Sequence, residues 1–137
     1  MKSKRVILDT NLWISFLISN NFKAIDKLVN TGEITLLFSN ELLEEFIDVV
    51  KRPKFRKFFS QKDIKALLEL FDEYAELIEV SSDVDLCRDK KDNFLLNLSV
   101  DGTADFLITG DNDLLVIKEI RNTKIITYSE FIENSVS

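Results

Sequence analysis

The stretches that decide the fold are Val6-Ile7-Leu8-Asp9 and Phe106-Leu107-Ile108-Thr109-Gly110-Asp111, each a short apolar run that ends in an acidic residue. Apolar residues in succession, rather than in alternation, are typical of strands that are covered on both faces, as in a parallel sheet. Open parallel sheets bind their ligands beyond the carboxyl ends of the strands. An acid at each of these two positions therefore lies where a functional site would form.

The rest of the chain alternates short apolar runs with helical periodicity, which is typical of βαβ units. We predict five strands, at residues 4–8, 34–38, 77–80, 106–108 and 124–127. Helices are predicted at residues 11–19, 22–30 and 39–51, with others starting near residues 60, 89 and 129. Residues 1–137 are therefore expected to form a single α/β domain, a three-layer α/β/α sandwich around a mostly parallel sheet.

The composition predicts a cytoplasmic protein without a membrane segment. Hydrophobic residues make up 45% of the chain and charged residues 31%, both ordinary fractions for a globular protein. Cys87 is the only cysteine and cannot form an internal disulfide, which favours a reducing compartment. The basic amino terminus is followed by only three apolar residues, too few for a signal peptide, and no stretch approaches the ~20 apolar residues of a membrane span.

The chain contains no histidine, which excludes Ser-His-Asp and Cys-His catalysis. It also lacks the glycine-rich GxGxxG, P-loop and Gly-x-Ser-x-Gly motifs. A net charge of −6 argues against bulk electrostatic binding of nucleic acid. It does not exclude a nucleic-acid enzyme whose negative charge is gathered at a metal site, because a bound cation inverts the local sign.

Four acidic residues that are far apart in sequence are candidates for one shared site: Asp9, Glu45, Asp92 and Asp111. Asp9 and Asp111 follow predicted strands, whereas the other two lie in the first turns of predicted helices. On the helix at residues 39–51, Glu45 borders the apolar stripe, about 40° from Val49, while Glu44 points away from it. A carboxylate at the edge of a buried face can reach a cleft, so Glu45 is preferred to Glu44.

Three of these candidates also have a purely structural interpretation. Asp9 could cap the helix that follows it, and Glu45 could be a surface charge that happens to border the core. Asp92 could belong to a solvated turn, since the dipole of the following helix stabilises its charge in any case. Asp89 is the better cap for that helix, which leaves Asp92 as the ligand candidate. Asp105 is expected to end the loop before its strand.

Carboxylates gathered in one pocket repel each other by roughly 4 kcal/mol per pair at ~4 Å and an effective dielectric of 20. A hard divalent cation offsets this repulsion, and all-oxygen ligation favours Mg²⁺ or Mn²⁺ over zinc, which prefers histidine or cysteine. Such an ion would lower the pKa of a bound water and stabilise a displacement at phosphorus. Asp113, close to Asp111 in sequence, could support that water.

A basic stretch interleaved with aromatics, Lys51-Arg52-Pro53-Lys54-Phe55-Arg56-Lys57-Phe58-Phe59, is a second candidate feature. Its cations would contact phosphates and its rings would stack on bases if a strand of RNA lay along it. The candidate RNA contacts are Arg52, Lys54, Arg56 and Lys57. An equally good interpretation is a solvated loop at a helix end, with its phenylalanines docked into the core.

Together these motifs resemble those of the PIN-domain family. Ile7-Leu8-Asp9-Thr10-Asn11 resembles the opening motif, and Leu43-Glu44-Glu45-Phe46, with Lys51-Arg52-Pro53-Lys54-Phe55 after it, resembles the second. Arg88-Asp89-Lys90-Lys91-Asp92-Asn93 and the run from Ala104 to Leu115 match the third and fourth. The motifs cover nearly the entire chain in the right order and spacing. The branch that the chain resembles most is that of prokaryotic PIN proteins serving as the toxins of toxin–antitoxin pairs.

The resemblance implies a five-stranded sheet of order 3-2-1-4-5 and an endonuclease that hydrolyses single-stranded RNA with Mg²⁺ or Mn²⁺. It implies that Asp9, Glu45, Asp92 and Asp111 are the metal-binding catalytic acids, with Asp113 in support. Thr10, Asn11 and Thr109 would be polar neighbours that orient a ligand or water. It further implies a homodimer and a small antitoxin protein that inserts a chain segment into the acidic cleft.

Two other functions remain open from the sequence. One is a non-catalytic PIN module that binds RNA or a protein partner, although such a module would have no reason to keep four mutually repelling acids. The other is a phosphotransfer or phosphatase domain of receiver or haloacid type, which also places an aspartate after the first strand. Those domains need a second aspartate close by, and Asp9-Thr10-Asn11 lacks it.

Overall fold

The structure is a computed structural model that describes residues 3–19 and 23–136. Its strands are β1 (Lys4–Leu8), β2 (Ile34–Phe38), β3 (Ala75–Leu77), β4 (Phe106–Ile108), β5 (Glu119–Ile120) and β6 (Thr123–Ile126). Its α-helices are α1 (Thr10–Ser19), α2 (Lys23–Asn30), α3 (Asn40–Val50), α4 (Gln61–Tyr74), α5 (Asn93–Asp101), α6 (Asn112–Leu115) and α7 (Tyr128–Val136). Two 3-10 turns lie at Pro53–Phe55 and Lys90–Asp92.

The strands form one sheet in the order β3-β2-β1-β4-β6-β5, parallel except for β5, which runs antiparallel to β6. The predicted mostly parallel sheet is therefore confirmed. The predicted order 3-2-1-4-5 corresponds to the first five positions, with β6 as the fifth predicted strand. The predicted count of five was wrong, because the two-residue strand β5 adds a sixth at the edge next to β6.

The sheet is covered on both faces, as the apolar runs predict. Val6 and Leu8 of β1 belong to one buried cluster, with Trp13 of α1 and Phe131 of α7. Ile7 points to the opposite face and belongs to a second cluster with residues of α5 and α6. Because side chains of a strand alternate between faces, one apolar run supplies both cores. The three-layer α/β/α arrangement follows from this burial.

Several element boundaries differ from the prediction. Residues 78–80 lie beyond β3, although the amide of Ile78 still donates to the carbonyl of Phe38 (2.8 Å). The last predicted strand is shifted by one residue, to Thr123–Ile126, and residue 22 of the predicted second helix lies outside the described residues. The predicted cap of α3 is confirmed, since the Ser39 hydroxyl accepts a hydrogen bond from the amide of Leu42 (3.2 Å). In the described residues, no helix is both long and apolar enough to cross a membrane.

Candidate active site at the carboxyl edge of the sheet

The site is built where β1 and β4 end beside each other. The pairing of β1 with β4 continues past the end of β1, because the amide of Asp9 donates to the carbonyl of Ile108 (3.1 Å). Thr109, directly after β4, is held on its other side, because its amide donates to the carbonyl of Ile126 in β6 (3.0 Å). Asp9 and Thr109 are thus fixed side by side although 100 residues separate them. The prediction that acids after these strands lie at one edge of the sheet is met by this geometry.

Asp9 is buried, with 7% of its surface exposed. One carboxylate oxygen, Oδ2, accepts a hydrogen bond from the Thr109 hydroxyl (2.7 Å), and Oδ1 accepts one from the amide of Asn11 (3.2 Å). Burial raises the pKa of Asp9 above its ordinary value, and the charge of Asp111 adds to this effect, while the Thr109 hydrogen bond opposes it. Its role is therefore more than capping α1, because its second oxygen faces across the sheet to β4.

Asp111 is held at the first turn of α6. Its Oδ1 accepts from the amide of Asp113 (2.9 Å), and its own amide donates to the Thr109 hydroxyl (3.0 Å). The Thr109 side chain, which is fully buried, thus bridges the two acids by donating to one and accepting from the backbone of the other. Thr109, predicted as a polar neighbour, is the residue that ties Asp9 to Asp111.

Asp92 approaches the same two acids from the 3-10 turn that precedes α5. Sequence reasoning placed it in the first turn of a helix capped by Asp89, and Asp89 does accept from the amide of Lys91, but within the short 3-10 turn before α5. Asp92 occupies the capping position of α5 without making a side-chain cap. Among the described residues, Oδ2 of Asp92 is the one buried side-chain oxygen or nitrogen that has no hydrogen-bond partner.

The environment of that oxygen raises the pKa of Asp92 from 3.8 to about 7. Burial contributes most, followed by a hydrogen bond to Asp111 and the charges of Asp111, Asp89 and Asp9. A hydrogen bond between the carboxyl groups of Asp92 and Asp111 requires a proton on one of them, since two ionised carboxylates have no donor between them. Asp92 is therefore stabilised in one of two ways: a proton neutralises it, or a metal cation beside it balances its charge when it is ionised.

Glu45 joins this group indirectly. It is half-buried on α3, whereas Glu44 is exposed, as the helical periodicity predicts. Its Oε2 accepts a hydrogen bond from the hydroxyl of Thr10 (2.7 Å), which directly follows Asp9 and is itself buried. The charges of Asp9, Asp92 and Asp111 therefore act directly on one another. Glu45 is connected to them through its hydrogen bond with Thr10, the residue after Asp9.

The donor set suits a hard cation, but the side chains are not already closed around one. Among the side chains that the structure describes, no three acidic or thiol groups are arranged to hold a metal ion. The unpartnered oxygen of Asp92 is nevertheless the kind of buried acceptor that Mg²⁺ or Mn²⁺ would satisfy, and the neighbouring donors are all oxygens. The residues therefore fit a divalent cation in chemistry, with rotation of carboxylates needed to enclose it.

Arg88 is the residue that sequence reasoning missed. Its guanidinium lies 2.9 Å from Oδ1 of Asp113, so the acid next to this group in α6 has a basic partner. Asp113, which is predicted to support a metal-bound water, is thus the acidic member of this ion pair. The only sequence signal was the position of Arg88 at the start of the third motif, 25 residues before Asp113.

The remaining candidates lie elsewhere or have structural partners. Asp105 accepts from the amide of Arg5 (2.8 Å), which confirms its role at the start of its strand. The side chain of Asn11 is exposed, and its backbone amide donates to Asp9. Cys87 is buried, and burial raises the pKa of its thiol, which agrees with a small apolar core residue.

The basic stretch, residues 51–59, has features of both interpretations, with some phenylalanines packed in the core and its cations exposed. Phe59 is buried and Phe55 packs against the core, as the structural interpretation expects, whereas 44% of Phe58 is exposed. Lys54 and Lys57 lie over the rings of their neighbours Phe55 and Phe58, at 5.0 and 5.1 Å from the ring centroids. Arg52 lies 3.7 Å from Asp48, and Arg56 is exposed. RNA binding by Arg52, Lys54, Arg56 and Lys57 stays a prediction.

Comparison with known proteins supports the same assignment as the geometry. A family model described as PIN domain matches residues 5–113, which include Asp9, Glu45, Asp92 and Asp111. The chain is also 32% identical, over 141 aligned residues, to an uncharacterized protein of Methanocaldococcus jannaschii, and the alignment covers 94% of this chain and 90% of that protein. The chain belongs to the PIN-domain family.

Proposed function

We propose that this protein is an endoribonuclease that cleaves single-stranded RNA with the help of Mg²⁺ or Mn²⁺. PIN domains are generally nucleases and generally bind divalent metals. The observation that carries the proposal is the buried, unpartnered Oδ2 of Asp92, next to Asp9 and Asp111, with a pKa raised to about 7. A site that needs a positive charge at neutral pH and offers only oxygen donors is suited to a hard cation.

In this proposal Asp9, Asp92 and Asp111 hold the ion, and Glu45 completes the site from α3, with Asp113 as a supporting acid. The ion supplies water activation and charge stabilisation at the phosphorus. Thr109 fixes the rotamer of Asp9 by donating to Oδ2, and Thr10 does the same for Glu45 through Oε2. Such outer hydrogen bonds orient ligands and commonly affect metal affinity or activity by 10- to 100-fold.

The same proposal extends to the biological role, which the motif resemblance supports. The chain would act as the toxin of a toxin–antitoxin pair, as a homodimer, with a small antitoxin protein as its partner. An inserted antitoxin segment would be expected to carry a cation, because it would contact the acidic group of Asp9, Asp92 and Asp111.

The activity is tested with purified protein and an end-labelled single-stranded RNA, with Mn²⁺, with Mg²⁺ and with excess chelator. We expect cleavage only with metal, and a loss of at least about 100-fold in Asp9→Asn and in Asp111→Asn, because each removes a ligand charge. Circular dichroism should show that both variants keep the fold.

Glu45→Gln and Glu44→Gln form a matched pair, since the two glutamates are adjacent on α3 but only Glu45 contacts Thr10. The first should lose most activity and the second should retain it. Full activity in Asp9→Asn, or equal effects of the two glutamine variants, would contradict the assigned site.

A further inference from the structure

A connecting segment, residues 81–88, joins the region after β3 to the 3-10 turn that carries Asp92. We name it the strap. It has no regular secondary structure, yet its backbone amides are bonded to side chains of α5. A segment without helix or strand pairing must satisfy its amides in another way, and here one helix supplies the acceptors.

The acceptors lie four residues apart on one face of α5. Asn93 accepts from the amide of Cys87 (2.9 Å), and Asn97 accepts from that of Val84 (2.6 Å). Asp101 accepts from the amides of Ser81 (2.7 Å) and Ser82 (2.8 Å). Residues i, i+4 and i+8 share a helix face, so the strap lies antiparallel along α5 and is fixed at both ends.

The far end of the strap touches the acidic site. The thiol of Cys87 lies 3.6 Å from the carbonyl oxygen of Asp113, and Arg88 pairs with the carboxylate of the same residue. The Arg88 side chain is 64% exposed and that of Asp113 is 38% exposed. Ion pairs this exposed contribute little to stability, so the guanidinium can exchange Asp113 for another anion at small cost.

We propose that Arg88 is the phosphate-binding cation of the active site and that the strap positions it; this inference rests on the proposed function. A guanidinium binds phosphate oxygens with two parallel hydrogen bonds, more specifically than an ammonium does. An RNA backbone that approaches Asp9, Asp92 and Asp111 meets repulsion. A cation at the rim of the group lowers that repulsion where the scissile phosphate would arrive.

A purely structural role for Arg88 is the competing explanation, and the contacts of the strap argue against it. Asn93, Asn97 and Asp101 hold the strap without help from Arg88, and Asn93 also donates to Asp85 (3.2 Å). Removal of the Arg88 side chain therefore leaves the strap in place. The exposed end of the guanidinium remains available to a ligand.

The inference is tested with Arg88→Ala, Arg88→Lys and the control Lys65→Ala, which removes an exposed cation on α4. Initial rates with Mn²⁺ and a short single-stranded RNA give kcat and KM. Fluorescence anisotropy with Ca²⁺ in place of Mn²⁺, at increasing KCl, gives the salt dependence of binding. We expect Arg88→Ala to raise KM roughly 10-fold or more, since one charge-assisted contact is lost.

The salt dependence separates a phosphate contact from a structural one. Loss of one contact to single-stranded RNA should lower the slope of log affinity against log salt by about 0.7, with a partial effect in Arg88→Lys and none in Lys65→Ala. If the wild type is active but Arg88→Ala leaves KM and the slope unchanged, the inference about Arg88 is overturned and the proposed function is not. A wild type that neither binds nor cleaves RNA would overturn the proposed function and this inference with it.

Discussion

At the scale of single residues, Asp92 determines how the site responds to pH. Its pKa is 3.8 ordinarily and about 7 in the folded protein, so the folded state holds this proton more tightly than the unfolded state does. The stability that the protonated group contributes is complete below pH 3.8. It is lost as the pH rises through 7, because ionised Asp92 then faces Asp111 without a proton between them.

We predict that Asp92→Asn stabilises the metal-free protein at pH 8 and has little stabilising effect at pH 4. With allowance for solvent screening, the gain should be about 1–2 kcal/mol, or roughly 3–8 °C in Tm. Thermal unfolding followed by circular dichroism in chelator measures it. The control Asp72→Asn, on the exposed side of α4, should show no such difference between the two pH values. A gain for Asp92→Asn that is equal at pH 4 and pH 8 would disprove the proposed repulsion.

Thr109 gives a second prediction at this scale, because its hydroxyl bonds both Asp9 and the amide of Asp111. Thr109→Val keeps the shape of the side chain but removes both bonds. We expect a loss of about 1–3 kcal/mol in the free energy of unfolding and at least a ~10-fold loss of cleavage. Thr109→Ser retains the hydroxyl and should keep most of both. Urea unfolding and cleavage assays that cannot distinguish the two variants would show that this bridge is unimportant.

At the scale of elements, the sequence predicted those strands and helix faces that the local order of apolar residues determines. The run before Asp9 predicted β1, and the stripe around Phe46 separated Glu45 from Glu44. The same reasoning missed β5, because Glu119 and Ile120 are too few to show a strand pattern and their pairing depends on Arg121 with φ 51°. It placed the third strand too late, since apolar character continues past Leu77, whereas the residues paired in register with β2 end there and only one further bond, from the amide of Ile78, reaches β2.

The strap carries the prediction that belongs to this scale. Asn97→Ala removes the acceptor of the Val84 amide, so hydrogen exchange in residues 81–88 should become faster, whereas Asn97→Asp keeps an acceptor oxygen and should slow exchange again. Mass spectrometry of peptides from the strap measures this directly. Exchange in the region of β1, which does not depend on Asn97, serves as the internal control. Unchanged exchange of the strap in Asn97→Ala would mean that its hydrogen bonds to side chains of α5 do not hold it in place.

At the scale of the whole molecule, the topology brings the acids together. β1 and β4 are neighbours in the middle of the sheet, so Asp9 and Asp111 meet although the chain between them builds most of the fold. This meeting is predictable from the sequence, because in any parallel sheet the carboxyl ends of neighbouring strands lie at the same edge. The contacts of Arg88 with Asp113 and of Thr10 with Glu45 are not predictable in this way, since side-chain pairing between distant elements depends on the packing of the complete fold.

We infer that a proton and a divalent cation compete for the same place between Asp92 and Asp111. Calorimetric titration of Mn²⁺ at pH 6.5, in two buffers of different ionisation enthalpy, tests it most directly. We predict that the wild type binds Mn²⁺ and releases up to about one proton, because its Asp92 is largely protonated at that pH, and that Asp92→Asn releases markedly fewer. Absence of Mn²⁺ binding by the wild type at millimolar concentration, or binding with equal proton release in both proteins, would contradict the claim.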